Sequence, residues 1–306
     1  MTTATADTAH TEAAGAQRSI PANPQALLQA VLDTNKGTKD PRTKTLLDAL
    51  IRHLHAYASE VSLTYEELHK SLDFMVRIGQ ATGPKKHEGI LLADILGLAT
   101  LVLLMDAKAI LAAGGTEPAL IGPFWRANQP VRANGSRIAT EDTPGAPLFV
   151  HGRVVSLDGS PIASARVETW QAAPSGLYEN QDDHQEDMNL RAVFETDAAG
   201  RFWFESVKPS GYGVPIDGPC GELLALQNRN HMRPSHLHFI VIAPGHKVLT
   251  TQIFDAHCPY AYSDAAFGAV GSLLRNFEPD SKGELHLDVE LKLEPGETRI
   301  PTPPLP

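Results

Sequence analysis

The stretch Arg229 to Val241, RNHMRPSHLHFIV, constrains this chain more than any other. It sets His236 and His238 two apart at the head of an apolar run, Phe239-Ile240-Val241, that reads as a buried strand. Residues i and i+2 of a strand point to one face, so both imidazoles project together. Two neutral imidazoles so placed are half of a metal site. The plainer alternative is a pair of core histidines, each satisfied by a backbone carbonyl. Turn and charge signals crowd this strand: Arg233-Pro234 comes just before the pair, and Pro215-Ile216-Asp217-Gly218-Pro219 lies upstream. That surplus favours the metal.

Cysteine cannot complete the shell. The chain has only Cys220 and Cys258, far apart and without CxxC spacing, which excludes a zinc ribbon and implies no disulfide. No HExxH motif occurs, and no carboxylate stands by the histidines in a facial-triad pattern. Tyrosine is the hard ligand that remains. Two of the six tyrosines, Tyr178 in TWQAAPSGLYENQ and Tyr212 in KPSGYGVPIDGP, follow Gly or Ser-Gly punctuation soon after strand-like runs. A phenol titrates at about 10 in water, but a trivalent cation can deprotonate it at neutral pH. Phenolate oxygen then suits hard Fe(III) better than a thiolate does.

The 306 residues suffice for two packed units or one large one, and 42% hydrophobic with 20% charged residues is ordinary for a globular enzyme. A formal net charge of -10, with no basic run carrying interleaved aromatics, argues against nucleic acid or an anionic membrane as partner. Residues 1–20, Ala/Thr-rich without an apolar centre, read as a disordered tail and not as a signal peptide. The longest apolar run, Ile90 to Met105, is interrupted by Asp94 and falls short of the about 20 residues a membrane span needs. With two unpaired cysteines, the expectation is a soluble cytoplasmic protein.

Apolar residues recur at helical spacing over Pro24–Asn35 and Thr43–Ser59. Thr64-Tyr-Glu-Glu67 is a capping box that opens a third helix, carrying Leu68, Leu72, Met75 and Ile78 on one side and ending near Gly83-Pro84. A fourth, long helix is expected from about Lys85 to Gly114-Gly115; being apolar almost all round, it should be buried. After Pro123 short apolar or alternating runs are separated by tight turns: Leu148–Ser156, Ala165–Trp170, Val193–Thr196, Arg201–Phe204, Ser235–Ile242, Val248–Phe254 and Glu284–Leu293. This is the texture of a β-sandwich and not of βαβ repeats. The LDGSP turn reads as hairpin-like. The fold class is therefore α+β: a helical unit over 21–125 on an all-β sandwich over 126–306.

Several spaced pieces resemble the intradiol ring-cleavage dioxygenases: DGSPIASARVETWQA followed by GLY, TDAAGRFWFESVKP, the Tyr212 segment with DGPCGELL, RPSHLHF and LTTQIF. They run in the family's order over 120–292, and the likeness continues into the helical segment. The resemblance implies non-haem Fe(III) held by Tyr178 and His236 as equatorial and Tyr212 and His238 as axial ligands. It further implies Tyr212 as acceptor of a substrate proton, Arg233 beside the substrate ring, and Gln252 near the ligands. An ion pair of Arg233 with Asp217 or another carboxylate is the plainer role for that arginine. Pro209 and Pro215 bracket Tyr212, and Gly211 and Gly213 would permit unusual dihedrals there. Met232, Gly213 and Ser235 depart from the family's usual Trp, Pro and Ala, which touches pocket shape and no ligand. In the family the helical segments of two subunits form a dimer that often holds phospholipid.

The same resemblance places a substrate pocket at Leu91, Asp94, Ile121, Gly122, Pro123, Phe124, Val214, Pro215, Arg233 and Ala266. Leu91 and Asp94 share one helix face, and Asp94 stands among Leu91, Leu92, Ile95 and Leu98. A carboxylate buried there needs a partner, from the protein or from a ligand. The helix around Asp94 resembles hydroxyquinol 1,2-dioxygenases most, which implies 1,2,4-trihydroxybenzene as substrate and 3-hydroxy-cis,cis-muconate as product. Catechol or a substituted catechol is the alternative, and a non-catalytic transthyretin-like binding module a remote one.

Overall fold

The computed structural model describes residues 20–83 and 86–302; the tail expected over 1–20, apart from Ile20, and the helix start expected at Lys85 lie outside the described residues. Three helices open the chain, each started by a polar capping residue. In α1 (Pro24–Thr34) the Asn23 side chain accepts the N–H of Ala26, and in α2 (Pro41–Glu60) Asp40 does the same for Thr43. α3 (Tyr65–Ala81) has the expected capping box: Thr64 Oγ1 accepts from Glu67 N, and the Glu67 carboxylate accepts from Thr64 N. The chain forms two compact units that divide between Asp73 and Phe74, within α3. In the first unit, Leu46, Leu50, Leu54 and Tyr57 make a stripe along α2 that is more than half exposed.

The single long helix expected next is two. α4 (Glu88–Ile95) and α5 (Leu98–Ala112) are bent by 70° at a break where Gly97 takes φ 70°. Gly lacks the Cβ that makes this left-handed conformation costly, and so lets the chain turn. Periodicity could not show the break, because the residues on both sides are equally apolar. Nor is the segment buried throughout: Leu98, Leu101, Val102 and Met105 are exposed on α5. Among the described residues no single helix is long and apolar enough to cross a membrane.

The strands follow as β1 (Pro147–Ser156), β2 (Arg166–Gln171), β3 (Arg191–Glu195), β4 (Arg201–Val207), β5 (Tyr212–Gly213), β6 (Met232–Arg233), β7 (His236–Ile242), β8 (Leu249–Asp255), β9 (Leu274–Arg275), β10 (Glu278–Pro279) and β11 (Leu285–Leu293). One sheet runs β10-β11-β1-β4 and the other β3-β2-β7-β8-β9, while β5 and β6 pair alone. A short helix, α6 (Pro219–Leu226), which the sequence reading did not foresee, separates β5 from β6. The inner faces of the two sheets share one apolar core, with Leu148, Val150, Phe202, Phe204 and Leu287 from the first and Val167, Leu237, Phe239 and Val241 from the second. The architecture is helices followed by a β-sandwich. The DGSP turn is not a β1–β2 hairpin: Val155 bridges Pro161, and the chain then crosses to the other sheet. The turn signal was local, while strand pairing follows the inner faces that need burial.

Strand β7 is buried on both faces, and this is what positions the site. Leu237, Phe239 and Val241 enter the core between the sheets. His236, His238 and Ile240 face the other way, beneath a second apolar layer that includes Phe124, Trp125, Trp170 and Tyr178. Trp125 is tied down by its indole N–H, which donates to Glu168 at 2.9 Å.

The sandwich core has one position where a single carbon should be felt. Gly152 on β1 pairs with Phe202 on β4, and a Cβ there would lie 2.0 Å from the Phe202 ring. Gly152→Ala should cost about 1–3 kcal/mol by overpacking, read as a lowered denaturation midpoint at unchanged slope. An unchanged midpoint would mean the ring moves freely aside.

Candidate active site

Register across the second sheet puts three side chains on one rung. Trp170 of β2, His238 of β7 and Gln252 of β8 are direct neighbours. The Trp170 ring stacks on the His238 imidazole at 4.5 Å and 9°, which fixes the plane of that imidazole. Gln252 Nε2 donates to the Leu120 carbonyl at 2.7 Å and lies 3.2 Å from His238 Nδ1. His236 sits two residues back on the same face, its Nδ1 2.7 Å from the Pro234 carbonyl, so that Nε2 carries the lone pair. The two Nε2 atoms approach to 3.0 Å. Burial holds both imidazoles neutral. Desolvation, and after it the Arg233 charge, brings His236 down to about 3, and desolvation with the neighbouring His236 takes His238 well below the ordinary value.

The two phenols arrive from loops. Tyr178 precedes a single 3-10 turn, Glu179–Gln181, and its N–H donates to Gln181 Oε1 at 3.0 Å. Phe124 stacks on its ring at 4.4 Å, and the Arg191 guanidinium lies 5.9 Å from the ring centre. Arg191 is held there by Glu179 at 2.7 Å, which also pairs with Arg126 at 2.7 Å. Tyr178 Oη comes within 3.0 Å of His238 Nε2. Burial, with the Tyr212 phenol next in effect, pushes its pKa well above the ordinary value. Tyr212 pairs directly with Arg233 across β5 and β6, and its ring stands edge-on to Tyr178 at 5.5 Å. Gly211 and Gly213 serve space and not unusual dihedrals, since neither has a positive φ. A Cβ would lie 2.9 Å from the Arg233 carbonyl at Gly211 and 2.6 Å from the His231 ring at Gly213.

This donor set fits a hard trivalent ion. His238 Nε2 lies 3.0 Å from both His236 Nε2 and the Tyr178 phenol oxygen, and the second phenol ring stands beside His236 at 5.6 Å. Among the described residues another cluster, Asp280, Glu284 and His286, also brings ligand atoms together, where the turn after β10 enters β11.

A cavity opens beside Tyr212. Leu91, Asp94, Gly122, Pro123, Phe124, Tyr212, Val214, Pro215, Arg233 and Ala266 line it, as the sequence reading expected. Ile121 does not; it lines an adjoining apolar groove between α4, α5 and β8. Lys86, His87, Glu88, Ile90 and Gln181 line the cavity unforeseen. Lys86 pairs with Asp217 at 2.8 Å, and Glu88 accepts the N–H of Cys220 at the start of α6. Asp217 is thus not the partner of Arg233. That partner is Asp264, at 3.1 Å from Nε and 3.2 Å from Nη2, and only its place in SDAAFG could have hinted at it. Asp94 has no side-chain hydrogen bond among the described residues, and burial raises its pKa to about 6, partly offset by Arg233.

Comparison with known proteins gives the class. A family model described as "Dioxygenase" matches residues 120–293, and one described as "Catechol dioxygenase N terminus" matches 40–114. A 6-chlorohydroxyquinol 1,2-dioxygenase of Cupriavidus pinatubonensis is 39% identical over 88% of this chain and 96% of its own. A catechol 1,2-dioxygenase of Candida albicans is 38% identical over 88% and 90%. The solved structure of a hydroxyquinol 1,2-dioxygenase from Pseudomonas putida superposes with a TM-score of 0.82 at 35% identity, over 89% of this chain and 99% of the other. The chain belongs to the intradiol ring-cleavage dioxygenases. It is an enzyme of the oxidoreductase class.

The raised pKa of Asp94 gives a stability test. The folded protein keeps this proton up to about pH 6 while a free aspartate has lost it near its ordinary value of 3.8. Stability therefore falls as pH rises through that window, and the cost is full above it. Asp94→Asn should be more stable than the parent by on the order of 2 kcal/mol at about pH 7.5, with the difference gone below about pH 4. Equal denaturation midpoints at both pH values would show that ionised Asp94 already has a partner.

Proposed function

We propose that this enzyme opens hydroxyquinol, 1,2,4-trihydroxybenzene, between its two adjacent hydroxyls, both atoms of O2 entering 3-hydroxy-cis,cis-muconate. The observation that carries the substrate is Asp94: a half-buried carboxylate, without a side-chain hydrogen bond among the described residues, on the wall of an otherwise mostly apolar pocket. A ring with two hydroxyls on the metal and a third beyond them supplies the missing donor. Catechol has no third hydroxyl. The hydroxyquinol dioxygenases among the relatives support the same choice, and the Candida albicans relative keeps catechol as the alternative.

Tyr178, Tyr212, His236 and His238 would hold a non-haem Fe(III). When bound there, the ion supplies the Lewis acidity that favours the deprotonated diol and leaves its ring electron-rich enough to react with O2. Leu91, Phe124, Val214, Pro215 and Ala266 clamp the ring and exclude water. Arg233 faces the diol oxygens with a fixed positive charge. Tyr212 Oη accepts one phenolic proton. Gln252 stands between Arg233 and His238, near the proposed ligands.

Residues 126–306 carry the four ligands in this reading, and the helical segment over 21–125 also mediates a homodimer. The apolar stripe of Leu46, Leu50, Leu54 and Tyr57 supports such pairing, and phospholipid is a suitable guest of the same face. Two free cysteines suit a reducing cytoplasm.

The purified protein should be wine-red from tyrosinate-to-iron charge transfer, and Tyr178→Phe should lose the colour and the activity. His238→Ala should fold but hold at least 10–100-fold less iron by elemental analysis, the loss typical of even an outlying partner. Colour and iron unchanged in both variants would return these residues to a packing role. For the substrate, Asp94→Ala should cut kcat/KM on hydroxyquinol by roughly one to two orders of magnitude and on catechol far less, because a site built for a hydroxyl discriminates against the analogue lacking it. Equal losses on both would remove hydroxyquinol as the substrate.

A further inference from the structure

Asp264 was not among the residues picked out from the sequence, yet more of the site's hydrogen bonds meet there than at any proposed ligand. Its carboxylate receives the Arg233 guanidinium on two atoms, Nε at 3.1 Å and Nη2 at 3.2 Å. It also accepts three backbone N–H groups of the turn that follows: Ala266 at 3.1 Å, Gly268 at 2.9 Å and Ala269 at 3.0 Å. Five donors saturate a carboxylate, and Arg233 first, by its charge, holds it ionised below the ordinary range against the cost of burial. Gly268 permits the approach, because a Cβ there would lie 2.7 Å from Arg233 Nη2.

A two-point clasp fixes both the position and the plane of a guanidinium, which a single contact does not. Arg233 Nη2 in turn donates to Gln252 Oε1 at 3.1 Å. That bond settles which way the Gln252 amide faces, with Nε2 toward the Leu120 carbonyl and the His238 ring. A continuous chain of hydrogen bonds therefore runs from Asp264 through Arg233 to Gln252 and the Leu120 carbonyl. The same carboxylate sets the backbone at Ala266, a wall of the cavity.

We propose that Asp264 is the positioning residue of this active site: it sets the Arg233 guanidinium toward the substrate. The proposal rests on the reading of an Fe(III) site given above, and the two fail differently. A wild-type protein without iron and colour sinks that reading before any variant is made.

The test uses the full-length iron-loaded enzyme and two variants. Asp264→Asn keeps the shape and removes one acceptor together with the charge. Gly268→Ala leaves the carboxylate intact and pushes on Arg233 instead. Both should lower kcat by roughly 10–100-fold with KM changed much less, since Arg233 acts on charge that develops during reaction. Both should keep the visible band of the substrate-free protein, because the four ligands are untouched. Combining Asp264→Asn with Arg233→Lys should cost no more than the larger single loss, as expected when one residue acts through the other. A variant that only melts earlier, with kcat and KM unmoved, would make Asp264 a structural clasp and overturn the proposal. Additive losses in the double variant would overturn it as well. If Asp264→Asn fails to fold, Gly268→Ala decides alone by the same readouts.

Discussion

The centre of this molecule depends on taking two imidazoles out of water on the outer face of one strand. Desolvation is the largest influence on both His236 and His238, and it keeps their lone pairs free of protons at any ordinary pH. That state is what a metal ligand needs. It is reached only because β7 is covered on both faces, by the sandwich core on one side and by Phe124, Trp125, Trp170 and the phenols on the other. The covering layer is therefore part of the site. Trp170 stacks on the imidazole that Gln252 meets at its edge, and Phe124 stacks on Tyr178 while lining the cavity.

Such a dry interior makes each buried charge expensive, and the structure deals with its charges in two ways. Arg233 is matched by Asp264, and Arg191 by Glu179, each at ion-pair distance. Asp94 has no side-chain hydrogen bond among the described residues. Two aspartates near the same arginine thus diverge: Arg233 and the turn N–H groups draw Asp264 below the ordinary carboxylate value, while burial carries Asp94 up to about 6. Environments that push like groups apart assign them different work. The saturated carboxylate holds the scaffold, and the hungry one is open to a ligand.

Much of this was legible along the chain. The seven long strands and the helices α1 to α3 appear close to where alternation, capping and turn signals put them, because each is a property of a few neighbouring residues. The failures share a cause. The α4–α5 break turns on one left-handed glycine inside a uniformly apolar run. The exposed face of α5 has a composition that describes burial without naming what buries it. The DGSP turn is a real turn whose flanking strands belong to different sheets. In each case the local signal was sound and the partner was chosen at a distance.

The sequence by itself determined which residue types meet: two imidazoles at spacing two on an apolar strand, two tyrosines behind glycine punctuation, and a lone carboxylate in an apolar helix. Spacing of two is geometry, so the shared face of His236 and His238 needed no tertiary information. Only the tertiary structure decided that Arg233 pairs with Asp264 and not with Asp217, 31 residues apart in place of 16. It alone put Ile121 outside the cavity and Lys86, Glu88 and Gln181 on its wall. Ion pairs and cavity walls are set by where whole elements pack. A sequence does not print such distances, because they arise only when the sheets close and the helices come to rest.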